Sequence, residues 1–292
     1  MVTFRRFLSE RCGFLSVVPC DDRPGRLFDG LEHCRSVIFI ARKRRQSGGL
    51  QFATTRYNRW ATEVREHLLT DLEFTGVSEE VVLRGQFPKV GAPVHERILQ
   101  KVFAGKGFEV ERSLSPHRTG QFIFYQESTG YWVKATVGLP YYAKNGETGA
   151  PPHGRYLFFS DSGTAHIVSA VLNSSLFYTY FIAYSDGFHL SDRLATGFRL
   201  APSILGDRIL VKLDGALLAD LKGCASVKTI NTKLGDQISY AEFNVSESKQ
   251  MIDNIDSVLA RHYGFTEEEL DFIINYDIKY RMGRDAEGED ED

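Results

Sequence analysis

The spacing of apolar positions changes several times along the chain, and each change predicts a different element. Phe4, Phe7 and Leu8 recur at helical spacing, so the first segment predicts a helix. Residues 14–18 (FLSVV) and 36–41 (SVIFIA) are short apolar runs without alternation. Such runs predict strands buried on both faces, inside a larger sheet. Two strands alone do not make a stable sheet, so this zone reads as the end of a domain whose beginning is missing. Residues 93–103 (PVHERILQKVF) return to helical spacing, with Pro93 in the first turn, where its missing N–H costs nothing. Residues 121–125 and 131–135 read as paired strands around a turn at 128–130, and residues 138–154 as a long Gly-, Pro- and Tyr-rich loop. Residues 155–160 (RYLFFS) read as a strand and 165–184 as one strongly apolar helix.

The last third predicts a short helix over 214–222, a strand over 238–245 and two further helices. The first, 249–263, carries Ile252, Ile255, Val258 and Leu259 on one face and stops at Gly264. The second opens on the capping box Thr266 and Glu269. No internal repeat is present.

Composition adds little until the charge is divided. At 292 residues, 42% hydrophobic and 25% charged, the chain has the profile of an ordinary globular protein. The formal net charge is −3, but the last eight residues (DAEGEDED) hold six acids and no base. Without those six charges the remainder is +3, so the overall balance hides a mildly basic body. The tail itself is too charged and too poor in apolar residues to fold. No apolar run reaches the roughly 18–20 residues of a membrane helix, and residues 1–10 lack a signal-peptide pattern, so no membrane partner and a cytoplasmic setting are expected. Cys12, Cys20, Cys34 and Cys224 have no CxxC spacing and predict neither a zinc site nor a disulfide framework.

Three segments carry a resemblance: RPGRLFDGLEHCRSVIFIARK (23–43), LNSSLFYTYFIAYSDGFHL (172–190) and HYGFTEEELDFIINYDIKYRMG (262–283). In this order and spacing they resemble the C-terminal half of the adenine-N6-specific DNA methyltransferases of type II and type IIG restriction–modification systems. The resemblance implies an α/β remnant of a methyltransferase catalytic domain followed by an α+β target-recognition domain. It places the end of the catalytic domain, with its motif VIII hairpin, at 1–43 and the target-recognition region at 44–203. A C-terminal α+β/helical region at 204–283 and a disordered acidic tail at 284–292 complete the division. It further implies that Phe28, on the motif VIII loop, stacks on an adenine flipped out of the duplex, because N6 cannot be reached inside the helix.

The catalytic motifs of that family are missing. No Asn/Asp/Ser-Pro-Pro-Tyr/Phe tetrapeptide occurs; Leu139-Pro140-Tyr141-Tyr142 and Pro151-Pro152-His153 both depart from it. Nor is there a glycine-rich strand-to-helix turn followed by an acidic residue, as methyl-donor binding requires. The chain alone is therefore expected to bind no cofactor and to be inactive. S-adenosylmethionine is implied only for a complete enzyme, with a separate polypeptide carrying the methyl-donor and Asn-Pro-Pro-Tyr motifs. The expected partner of the chain itself is double-stranded DNA. The alternatives are a non-functional fragment, a stand-alone DNA-binding protein and a nuclease subunit, though no convincing Asp/Glu-x-Lys lies on a predicted strand.

Residues suited to DNA fall in four groups. Arg42, Lys43, Arg44 and Arg45 form a basic run for phosphates. Arg56, Tyr57, Asn58 and Arg59 combine guanidinium, amide and aromatic groups of the kind that read base edges. Arg118, with Arg112 and His117, makes a looser group, and Tyr142, Lys144 and Asn145 lie on the long loop. The aromatic run 176–184 is expected in the core, and Asp186 and His189 in a structural turn.

Overall fold

The computed structural model describes residues 2–30, 34–44, 49–83 and 85–282, without the side chains of Val2 and Ala104. The chain is mixed α/β and divides into two compact units: residues 1–105 with 180–187, and residues 106–179 with 188–292. The boundary expected after Lys43 thus falls within the first unit.

The first unit opens with helix α1 (Val2–Arg11), followed by β1 (Cys12–Cys20), β2 (Ser36–Lys43), β3 (Gln51–Thr54) and β4 (Thr75–Val77). They form one sheet in the order β2-β1-β3-β4. β1 and β2 are antiparallel, from Cys12 opposite Lys43 to Cys20 opposite Ser36. β3 runs parallel to β1, which ties the hairpin to the residues that follow. Of the apolar run 14–18, Leu15 and Val18 are buried, while Phe14, Ser16 and Val17 are half-buried. β2 departs from its expectation. It is the last strand of the sheet, and Val37, Ile38, Phe39 and Ile40 are all exposed, because among the described residues only β1 lies beside it. Helix α2 (Pro93–Ala104) follows its apolar spacing and begins with proline at the first turn.

Among the described residues the second unit holds three small sheets: β10-β6-β7, β11-β5 and β12-β13-β8-β9. Their strands are β5 (Phe108–Glu109), β6 (Gln121–Gln126), β7 (Thr136–Val137), β8 (Tyr142–Lys144), β9 (Glu147–Thr148), β10 (Gly154–Phe159), β11 (Arg199–Leu200), β12 (Ser226–Asn231) and β13 (Gln237–Glu242). Residues 131–135 are not the strand their composition predicts. Asn173 takes the backbone of Ala135 instead: the Ala135 N–H donates to Asn173 Oδ1 at 2.9 Å, and Asn173 Nδ2 donates to the Ala135 carbonyl at 2.8 Å. The long loop 138–154 contains the β8–β9 hairpin, which extends the β12–β13 ribbon.

The apolar segment expected as one helix is two, α3 (Ser162–Asn173) and α4 (Ser175–Tyr184). The break at Ser174 is stabilised from a distance. The buried Asp256 carboxylate accepts the Ser175 and Leu176 N–H groups at 3.1 and 3.0 Å, and Ser174 Oγ accepts the Phe177 N–H. These bonds satisfy donors that a helix start leaves open. Helices α5 (Asp192–Gly197), α6 (Arg208–Gly223), α7 (Lys249–Tyr263), α8 (Glu267–Asn275) and α9 (Ile278–Arg281) complete the unit. α7 stops at Gly264, whose φ of 67° is the left-handed cap, and α8 opens on the Thr266–Glu269 capping box, both as predicted. No single helix among the described residues is long and apolar enough to cross a membrane.

Candidate nucleic-acid interface

The loop between β1 and β2 carries Phe28, and its opening turn is anchored by ion pairs. Asp21 and Asp22, buried at the end of β1, face Arg35 just before β2 at 3.5 and 3.4 Å. Arg59 Nε also donates to Asp21 Oδ2, at 2.8 Å. Burial raises the carboxyl of Asp22 above its ordinary range, with the neighbouring Asp21 adding to the shift and Arg35 opposing it. Gly25 crosses the indole of Trp60 so closely that a Cβ there would lie 2.6 Å from the Trp60 carbonyl oxygen. Only glycine permits that approach.

Beyond this crossing the side chains alternate. Leu27 packs inward on the cluster of Val18, Cys20 and Trp60. Phe28, the next residue, points out and is 53% exposed. A single guanidinium fixes both its neighbours: Arg65 donates from NH2 to the Leu27 carbonyl and from NH1 to Asp29 Oδ1, each at 2.8 Å. The backbone on one side of this aromatic and the side chain on the other are thus both tied to Arg65. Such an arrangement can offer a flat apolar face to a ligand, and aromatic faces stack on bases.

The basic run lies elsewhere. Arg42 and Lys43 are exposed near the end of β2, where the register sets them opposite Phe14 and Cys12. The Arg42 guanidinium lies 5.5 Å from the Phe14 ring centroid. The Phe28 loop joins the other end of the hairpin, about 20 Å away at ~3.3 Å per residue. Arg44 turns inward and donates to the carbonyls of Ser9 and Cys12 at 2.9 and 3.3 Å, so it closes the end of α1. Arg45 lies outside the described residues.

The group 56–59 is mostly interior. Arg56 is exposed, but Tyr57, Asn58 and Arg59 are buried. The Tyr57 hydroxyl donates to the Asp186 carbonyl at 2.9 Å, and burial pushes its pKa far up. Asn58 Nδ2 donates to the carbonyls of Pro19 and Arg56 and to Thr55 Oγ1. With Arg59 bound to Asp21, these three hold the sheet and its loop together, and the expectation that they reach bases is corrected accordingly. Lys89 belongs to the same interior network: it lies over the Tyr57 ring at 5.3 Å, donates to the Ala183 and Ser185 carbonyls, and is lowered by burial to about 7.

In the second unit, Arg112, His117 and Arg118 are exposed in the segment before β6. Tyr142 is half-buried on β8. Lys144 and Asn145 are exposed but bind the opposite hairpin. Lys144 Nζ pairs with Asp236 Oδ2 at 2.6 Å, and Asn145 joins Asp236 Oδ1 and the Gln237 N–H. Their first role is therefore to lock the β8–β13 pairing. Arg35, Arg65, Asp21 and Asp22, which shape the Phe28 loop, do not stand out in sequence as a group because their partners are distant. The chain matches no family profile and no curated protein sequence.

Proposed function

We propose that the chain is the DNA-reading portion of a site-specific adenine-N6 DNA methyltransferase and works with a polypeptide that carries the methyl-donor and catalytic motifs. The observation that carries this reading is the outward aromatic Phe28, presented on a loop whose flanking residues are both bound to Arg65. An unstacked base needs such a platform, and stacking is worth about 1–3 kcal/mol per base. Exposed Arg42, Lys43, Arg56 and Arg118 are the remaining residues suited to phosphate contact. Among the described residues, the turn from β10 into α3 does not fit S-adenosylmethionine: it has Asp161 as its cap and the lone Gly163, not a glycine-rich cradle.

The test is fluorescence anisotropy of a labelled duplex titrated with the full chain. Binding should weaken steeply between about 50 and 200 mM salt, as phosphate contacts require. Affinity that does not change with salt would sink the DNA-reading role.

A further inference from the structure

Residues 36–41 have the composition of an interior strand, yet Val37, Ile38, Phe39 and Ile40 are 58%, 37%, 44% and 70% exposed. Successive strand residues point to opposite faces, so β2 is bare on both. Its outer edge has no strand beside it among the described residues. α1 extends the bare surface: Phe4 meets Phe39 edge-on at 6.0 Å, and both Phe4 and Phe7 remain more than half exposed. Soluble proteins usually blunt such an edge or cover it, and a contiguous apolar patch marks an interaction surface.

We infer that β2 and the exposed side of α1 are the docking surface for an α/β domain of a partner polypeptide, which adds a strand to the outer edge of β2 and an apolar layer to each face. The inference rests on the proposed function, in which that partner is the polypeptide with the catalytic motifs.

Three observations select this occupant. The residues of this chain outside those described include only Met1, Leu31 and Ala286 as apolar members, too few to cover two faces. A second copy pairing β2 against β2 would satisfy the edge but double the bare faces, since it brings the same uncovered strand. The rim is basic at one end, where Arg11, Arg42 and Lys43 are exposed around the start of β1 and the end of β2, so the partner carries carboxylates there.

The experiment uses the full chain, alone and mixed with a polypeptide that carries the methyl-donor and Asn-Pro-Pro-Tyr motifs. In the chain alone, those amides of 36–43 that point away from β1 should exchange rapidly with deuterium, and a hydrophobic dye should bind. In the mixture a 1:1 complex should form by light scattering, with exchange of these outward amides slowed at least tenfold. Ile40→Lys should remove the complex while Trp60 fluorescence and the far-ultraviolet circular dichroism of the chain stay unchanged. Val37→Lys, on the opposite face, provides a second variant should the first misfold.

Slow exchange of the outward amides of 36–43 in the isolated chain overturns the inference, as does a symmetric dimer that protects them. A mixture that shows no complex, or a complex that leaves 36–43 exposed, does the same. The two readings fail separately. DNA binding without protection of β2 removes the docking surface alone, whereas a β2-dependent complex that does not bind DNA removes the DNA-reading role alone.

Discussion

Replacing Arg281 with Met tests how the C-terminal end of the second unit is held. The Arg281 guanidinium, 1% exposed, lies between the rings of Trp132 and Tyr178 at 3.8 and 4.6 Å and donates to Ser175 Oγ at 3.1 Å. Desolvated cation–π contacts are worth about 2 kcal/mol for the closer ring and about 1 for the other. A hydrogen bond from a charged donor adds about 2 kcal/mol. Against these stands the cost of burying a guanidinium, several kcal/mol, which Met does not incur. A net loss of about 1–2 kcal/mol is expected near neutral pH.

The loss should also depend on pH. Burial raises the Asp256 carboxyl to about 6, against the opposing N–H groups of Leu176 and Ser175 and the positive field of Arg281. A carboxyl raised above its unfolded pKa of ~3.9 costs nothing below that value, and its full cost applies above the folded pKa. Without Arg281 the folded pKa rises further, so the variant should lose more stability at pH 8 than at pH 5. The difference is about 1.4 kcal/mol for each unit by which Asp256 moves.

The chain has two tryptophans, Trp60 in the first unit and Trp132 in the second. Urea unfolding followed by Trp132 fluorescence in a Trp60→Phe background therefore reports the second unit. A loss under about 1 kcal/mol, equal at pH 5 and pH 8, would refute the account.

Other changes give separate checks. Phe28→Ala should leave the unfolding midpoints unchanged but reduce 2-aminopurine fluorescence enhancement in a complex with the proposed catalytic polypeptide, and an undiminished signal would remove the stacking role. Arg65→Ala should lower the fluorescence anisotropy of a Phe28→Trp reporter, because both neighbours of that residue are released. Gly25→Ala should destabilise the first unit by about 1–3 kcal/mol, read from the Trp60 midpoint, because its methyl meets backbone that cannot yield. Asp161→Ala removes the cap of α3 and should cost about 1 kcal/mol. Hydrogen bonds from Thr164 hold that carboxyl below its ordinary range. Its contribution is therefore full above the unfolded pKa and disappears as pH falls through the lower folded one, so wild type and variant should converge in acid.

Elements whose signals are local were legible in the sequence. Helix α7 with its Gly264 stop, the capping box of α8 and the proline-led start of α2 all depend on residues within a turn of each other. The break between α3 and α4 was not legible, because the Asp256 that stabilises it lies some eighty positions later. The proposed site was legible in part. Phe28 was singled out by the motif around it, and the structure leaves it 53% exposed. Tyr57, Asn58 and Arg59 have groups equally suited to a base edge or to a buried network. What decides is the proximity of Pro19 and Asp21, which are 39 and 38 residues away in sequence. The exposed β2 was legible in composition but not in environment, since a run such as SVIFIA cannot state which neighbour covers it.

The division of the chain has a consequence for synthesis. Residues 180–187 belong to the first unit although the chain leaves that unit at Gly105. The Lys89 N–H donates to the Ala183 carbonyl and the Tyr184 hydroxyl to the Val81 carbonyl, so the region around 81–89 is unfinished until that stretch exists. A ribosome making the chain at about 5–20 residues per second must produce some seventy-five intervening residues before the first unit can close. During that interval its apolar residues await their partners, and a fragment ending at Gly105 would remain in the same unfinished condition.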